Sequence, residues 1–464
     1  MLLTCPELQF GENDNYMNKI IFSCCLLFIA NNLISQKSSY DPDRVHSIDQ
    51  LQEDFRFFRS KLEGKHPNLY EYTSKEVLDI YFDSLYTSIN LPMTERKFYT
   101  IITLLNAKIK DGHTMQLPGA SAINYHVKND VYFPFYVTIN NGKLFVNMNC
   151  TADFTIRNGD EIININEKPA KNILDYLFER QIHDGFNQTY PIWILTNYFK
   201  EYYSFSFGNP ATFYLITKNV NGEEKRTTVQ ALSKDSIRFY RDLNYAHKIP
   251  VVTKGISFDI NNQTGIATIV VRSFDKEILR STYQQQYNEV LTEIFKEVEE
   301  KQVKDLILDL RNNQGGDWAP GTLLLSYLIR EPLKFLENSI QSKIINPKPN
   351  SYKNNLYVLI NGGSFSITGI IASYLELTKR GVMVGEETGG NKTLLSGEPV
   401  SFTLPNTKIE CQSSTKKFII RNGKDDGHGV LPEFYVPLDS KSSLSNNDPV
   451  MEKALSLIGE NKNR

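Results

Sequence analysis

From residue 47 to 110 the apolar positions keep a helical period. Leu51, Phe55, Phe58 and Leu62 fall at i, i+4, i+7 and i+11, on one face of a helix. Thr73-Ser74-Lys75-Glu76 has the form of a capping box ahead of Val77, Leu78, Tyr81, Phe82 and Leu85. Thr94 precedes a third run through Phe98, Ile101, Ile102, Leu105 and Ile109. That run stops at Asp111-Gly112-His113-Thr114, where Gly112 can supply a left-handed helix stop. The pattern predicts a small helical domain ending in an exposed turn.

Between about residues 132 and 232 strands dominate. Apolar runs at 133–139 and 144–148 flank Asn140-Asn141-Gly142, and runs at 212–218 and 226–229 flank Asn221-Gly222; both are hairpin signals. One helical stretch lies near 173–180. From 255 onward, near-continuous apolar strands at 265–274, 306–310, 356–360 and 382–384 alternate with helical stripes at 290–298, 319–329 and 367–378. That alternation predicts a layered α/β domain with parallel strands. The polar residues after 440 read as a loose tail.

Composition narrows the function classes. Of 464 residues, 41% are hydrophobic, with 27 Phe and 25 Tyr, enough for large cores and incompatible with a disordered chain. Lys+Arg 51 against Asp+Glu 53 leaves −2, which gives no global field for nucleic acid or acidic membranes. Five Cys without C-x-x-C, and no H-E-x-x-H, argue against a disulfide scaffold and a metallohydrolase, so no metal or cofactor is expected. Cys150 and Cys411 are expected as two separate buried thiols. Lys19 precedes an apolar run at 20–30, too short to span a bilayer and of signal-peptide length. This predicts export to the periplasm or beyond, with no stable membrane span after signal removal. The leader before Met17 carries three acids and does not resemble the start of a signal, as if Met17 were the true start.

Acyl-transfer chemistry needs a nucleophile, a base and an electrophilic hole. A buried strand at 356–360 runs into Asn361-Gly362-Gly363-Ser364-Phe365-Ser366 and then an apolar helix. A serine there stands among unpaired N–H groups at the positive end of the helix dipole. An ordinary helix cap explains the same pattern. After another buried strand comes Asp309-Leu310-Arg311-Asn312-Asn313-Gln314-Gly315-Gly316. If the two strands are neighbours, a Gly315 or Gly316 N–H can point at an acyl oxygen; a simple Gly-Gly turn is the competing reading. Arg311 reads as a structural ion-pair partner.

LILDLRNNQGG, VLINGGSFSITG, GVMVGEETGG and GHGVLPEFYV occur in that order. Together they resemble the C-terminal-processing (tail-specific) serine proteases and, among them, the tricorn-like branch. The resemblance implies an α/β multidomain chain with a crotonase-like layered catalytic domain and a PDZ-like β-rich domain. IRNGDEIININEKPA is similar to a stretch of PDZ domains, and the helical part ending in KDGHT resembles the N-terminal domain of the tricorn-like branch. The expected boundaries are 1–36 for leader and signal peptide, 37–118 helical, 130–235 PDZ-like, 250–440 catalytic and 441–464 tail.

The resemblance also frames the choice of base. A lysine arrangement would place Asn391 at the lysine position, with Lys392 one residue off and facing the other side of the strand. A histidine arrangement is met by His113, with Asp426 as the acid, although Gly112 stands where that branch has serine and Asp426 where it has glutamate. Histidine suits the task because neutral imidazole is available near pH 7. His428 is the rival base beside the acid, while His46, His66, His126, His183 and His247 read as surface or packing residues. The expected machinery is Ser366, His113 and Asp426 with an oxyanion hole at Gly315 and Gly316; Ser364, Lys392 and His428 are the alternatives. The implied function is an exported serine endopeptidase acting on unfolded C-termini or peptides. A non-catalytic binder of apolar ligands or peptides on the same fold, and a small-substrate esterase, stay open.

Overall fold

The computed structural model describes residues 40–246, 249, 251–337, 339–437 and 447–462. The expected leader and signal segment, and His247, lie outside them. Helices α1 (Ile48–Lys65), α2 (Lys75–Ser88) and α3 (Glu95–Ile102) form where the apolar period placed them. The reciprocal capping box is at Ser47 and Gln50, while α2 is capped by Ser74 and α3 by Thr94. The left-handed residue that ends this helical run is Lys110 (φ 59°), not Gly112. Strand β1 (Met115–Leu117) follows.

Strands β2 (Phe135–Asn140) and β3 (Lys143–Asn149) make the expected hairpin, with Asn141 and Gly142 at φ 50° and 70°. Strand β4 (Glu161–Ile165), helices α4 (Ala170–Phe178) and α5 (Thr189–Phe207), and strands β5 (Thr212–Lys218) and β6 (Glu224–Gln230) complete an antiparallel sheet of order β2-β3-β4-β5-β6. Helix α5 is the main departure from the sequence reading. Its residues TYPIWILTNYFKEYYSFSF are rich in aromatic and β-branched types and apolar on every side, so neither propensity nor periodicity marks a helix. It is buried on several faces: Leu195, Phe199 and Tyr203 enter the core of this module, and Tyr190, Ile194 and Tyr198 pack around Phe365 of the next.

The third part is built on β7 (Ile256–Ile260), β8 (Ala267–Val271), α6 (Tyr287–Glu300), β9 (Asp305–Asp309), α7 (Trp318–Leu328), β10 (Asn355–Ile360), α8 (Ile367–Leu377), β11 (Val382–Gly385), β12 (Val400–Thr403), β13 (Glu410–Ser413), β14 (Phe434–Tyr435) and α9 (Pro449–Lys462). Its sheet runs β7-β8-β9-β10-β11-β14, parallel except for the edge strand β7. Successive residues face opposite layers, as strand geometry requires. Leu306, Leu308, Leu356, Val358 and Ile360 pack under α6, α7 and α8, while Ile307, Tyr357, Leu359 and Val384 pack against α9. Residues 449–462 are thus a core helix rather than a loose tail.

The front and rear of the chain share structure. β1 pairs antiparallel with β13, Met115 opposite Gln412 and Gln116 opposite Cys411. Leu404, Ile409 and Cys411 complete the helical core of α1–α3. This joint carries the turn before β1 to the mouth of α8. Cys150 and Cys411 are both buried free thiols.

Candidate active site

β9 and β10 are parallel neighbours, Asp309 beside Leu359, so the loops leaving their C-terminal ends lie side by side. At such ends an open α/β sheet forms its ligand crevice. Ser366 opens α8 at φ 56°, ψ −128°, a backbone conformation that a residue with a Cβ rarely adopts. Strain of this kind costs about 1–3 kcal/mol and persists where surrounding structure enforces it. Here the Phe365 N–H donates to the Asn313 carbonyl, and Gly315 lies directly against the serine. A Cβ on Gly315 would stand 2.8 Å from Ser366 Cβ and 3.2 Å from Ile367 N.

The imidazole of His113 reaches this hydroxyl across 253 residues, with Nε2 3.1 Å from Ser366 Oγ. Its ring stacks on Phe365 (4.6 Å between centroids), which in turn lies flat on Tyr190 (4.2 Å, 6°). Gly112 is required by this stack, because a Cβ there would meet Phe365 Cζ at 2.6 Å. Burial lowers the His113 pKa below its ordinary value, opposed by the charge of Asp111. The imidazole is therefore neutral at neutral pH, in the form that can accept a proton.

The acid beside His113 is Asp111, not Asp426. Asp111 Oδ1 lies 3.9 Å from His113 Nδ1 and accepts the His113 backbone N–H at 2.9 Å. Its Oδ2 meets His66 Nε2 (2.8 Å), Thr114 Oγ1 (2.6 Å) and Ser414 Oγ (2.6 Å). Burial alone would raise this carboxyl; the His66 hydrogen bond and charge, with His113 and Ser414, bring it down to about 2. It is an anion held in a dry site, where its field acts on His113 with little screening. Among the described residues His113 Nδ1 makes no hydrogen bond of its own. Asp426 instead is exposed, pairs with Lys392 Nζ at 2.8 Å and accepts the His428 N–H.

The alternatives also find other employment. Ser364 is fully buried, donating to the Leu310 carbonyl and accepting the Asn361 N–H. Lys392 is spent on Asp426, and His428 Nδ1 faces Glu387 at 3.1 Å. Arg311 forks between Asp309 and Asp448, all three buried, as an ion-pair partner should. Gly315 gives its N–H to Asn313 Oδ1 at 2.9 Å. The N–H groups of Gly316, which is exposed, and of Ile367, the residue after Ser366, make no hydrogen bond among the described residues.

Two residues here were not singled out in the sequence. His66 is, on sequence alone, one of the histidines expected as surface or packing residues. Asp184 is fully buried, accepts the Gly112 N–H at 2.8 Å and the Asn391 N–H at 3.2 Å, and is raised to about 8 by burial and by Asp111. A charge partner 73 positions from Asp111 leaves no local signal, since only the fold brings the two together. Atoms of Asp111, His113 and Asp184 lie within 4.8 Å of one another. Both carboxylates are already occupied by N–H and O–H donors, which makes this a hydrogen-bonded cluster rather than a coordination shell.

The family model described as peptidase family S41 matches residues 265–436, the span holding all four motifs. Residues 265–436 are a peptidase family S41 domain. The chain is accordingly a serine-type peptidase. Among solved structures, mature CPAF has the same fold, with 14% identity, a TM-score of 0.65, and coverage of 88% of this peptidase and 96% of that chain. Mature CPAF complexed with lactacystin is similar at 14% identity and a TM-score of 0.63, over 88% of this peptidase and 97% of that chain. No curated protein matches. No helix among the described residues of the peptidase is long and apolar enough to cross a membrane.

Proposed function

We propose that this peptidase is an exported endopeptidase that cuts unfolded C-termini or peptides through an acyl-enzyme on Ser366. The observation that carries this reading is the 3.1 Å approach of His113 Nε2 to Ser366 Oγ. In acylation the Oγ–carbonyl carbon bond forms as the Oγ proton passes to His113 Nε2. The peptide C–N bond then breaks, and the proton moves to the leaving amine nitrogen. The Gly316 and Ile367 N–H groups receive the oxyanion, and the Asp111 carboxylate stabilises the imidazolium. Water activated by the same imidazole releases the acyl group and restores the serine.

The catalytic sheet with α6–α9 is read as the crotonase-like layer, and residues 130–235 as a PDZ-like module. Support for the second reading is a cleft lined on one side by Val137, Ile139, Ile192 and Trp193 of strand β2 and helix α5, and on the other by Asn312, Asn361 and Val436 of the catalytic part. An extended peptide lying along β2 in this cleft is the binding mode the reading implies. Export rests on the apolar run at 20–30. A fluorophosphonate probe tests the nucleophile: it should label the full chain and fail on Ser366→Ala. Equal labelling of both would sink the assignment.

A further inference from the structure

Beside the dyad lies a second cavity, of about 80 Å³, walled mainly by carbon. That is several times the roughly 10–15 Å³ one water requires. Met115, Leu117, Ile182, Ile194, Tyr198 and Phe205 form its apolar wall. Tyr190 and Gln314 also line it. Tyr190 is the ring stacked on Phe365, which carries His113, and Gln314 immediately precedes the Gly315 that packs on Ser366. Met115 stands two residues beyond the base. Met115, Leu117, Tyr202, Phe205 and Gln314 are only half-buried, so the cavity is open to the surface.

Glu201 is the one charged residue lining it among the described residues. It is not available to a cation. Lys234 Nζ is 3.1 Å away and Lys200 Nζ 3.7 Å, two positive charges for one carboxylate. A lysine or arginine side chain entering the cavity would lose its water and meet a carboxylate already flanked by two ammonium groups. An apolar side chain loses nothing on entry and fills a space that ordered water, short of polar partners, occupies poorly.

Resting on the peptidase reading above, we propose that this cavity is the subsite for a large apolar or aromatic side chain flanking the cut bond. Small residues would leave it unfilled, and basic ones would be rejected. A single methylene in such a pocket is worth about 10- to 200-fold in kcat/KM. Peptides with Phe, Tyr, Leu or Met at this position should therefore exceed their Ala counterparts by at least about 10-fold.

The test uses the full chain and a proteome-derived peptide library, with the residues around each cut read by mass spectrometry. Enrichment of Phe, Tyr, Leu and Met at one position flanking the cut is expected. No enrichment, or enrichment of Gly and Ala or of Lys and Arg, overturns the subsite. Labelling of Ser366 by fluorophosphonate in the same preparation separates the two claims: cuts without apolar preference defeat the subsite alone, while absence of labelling and of cuts defeats the peptidase mechanism. Two variants at half-buried wall positions add a second readout. Leu117→Trp should lower the Phe-to-Ala ratio of kcat/KM at least about 10-fold, and Phe205→Ala should shift preference toward the larger Trp. Unchanged ratios in both would overturn the assignment.

Discussion

The charge that serves His113 comes from two residues before it in the chain. Asp111 is buried, multiply hydrogen-bonded and within 3.9 Å of the imidazole, whereas Asp426 is exposed and paired with Lys392. Exposed ion pairs contribute about 0–1 kcal/mol. Asp426→Ala should accordingly change kcat/KM by less than about threefold, measured on a cleaved peptide. A loss above a hundredfold would return the acid role to Asp426. The pH profile gives a second check. Burial places the His113 pKa below 6.5, so the neutral base survives as pH falls through that value. The acid limb of kcat/KM should have its midpoint below pH 6.5, and a midpoint at or above it would contradict the buried imidazole. At this scale the family resemblance points to Ser366 and His113, and each stands in a short motif that a sequence can show: a Gly-Gly turn into a helix, and a D-x-H turn. It could not yield the acid cluster, in which His66, Asp111, Asp184 and Ser414 meet only through tertiary structure.

Among elements, the fit of one turn against one helix decides whether the dyad forms. The turn between α3 and β1 carries His113, and Ser366 is the residue before α8, with the Phe365 ring stacked between His113 and Tyr190. Gly112 is a glycine for that reason and not to stop a helix, a role taken by Lys110. Gly112→Ala would drive a Cβ to 2.6 Å from Phe365 Cζ. Overpacking of this kind costs about 1–3 kcal/mol, and the ring that must move is the one under His113. We expect kcat to fall at least about 100-fold with KM changed far less, as follows from a misplaced base. A variant with full kcat would show that the stack does not position the imidazole. Elements with one apolar face, such as α1 and α2, or a continuous apolar run, such as β9 and β10, were legible in advance. Helix α5 was not, because a helix buried on several sides shows no polar stripe, and its Tyr, Trp, Ile and Phe content favours strand.

Over the described residues, the front and rear parts of the fold are held by contacts that no local pattern announces. β1 pairs with β13, and α9 seals the face of the catalytic sheet that α6, α7 and α8 leave open. On sequence alone the tail reads as loose because a polar stretch precedes α9, and a short amphipathic helix of mixed composition gives a weak signal beside the strands it covers. Its anchor is ionic as well as apolar: Asp448, the residue before Pro449, shares Arg311 with Asp309, and Arg311 lies in the loop that leads to Gly315. Asp448→Ala leaves half of a buried guanidinium without its partner. Breaking such a pair costs about 3–5 kcal/mol; with Asp309 still in place the lower end, about 3 kcal/mol, is expected. Thermal unfolding should show a clear fall in Tm. Removing residues 447–464 altogether would also expose Ile307, Tyr357, Leu359 and Val384, and should yield an aggregating chain rather than a shorter active one. A soluble truncated protein that keeps its far-UV spectrum and its fluorophosphonate labelling would show that α9 is dispensable. Intermediate behaviour separates the two anchors: if Asp448→Ala retains labelling but melts early, the ion pair holds the fold, and if it melts normally but labels slowly, it acts through Arg311 on the glycine loop beside the nucleophile.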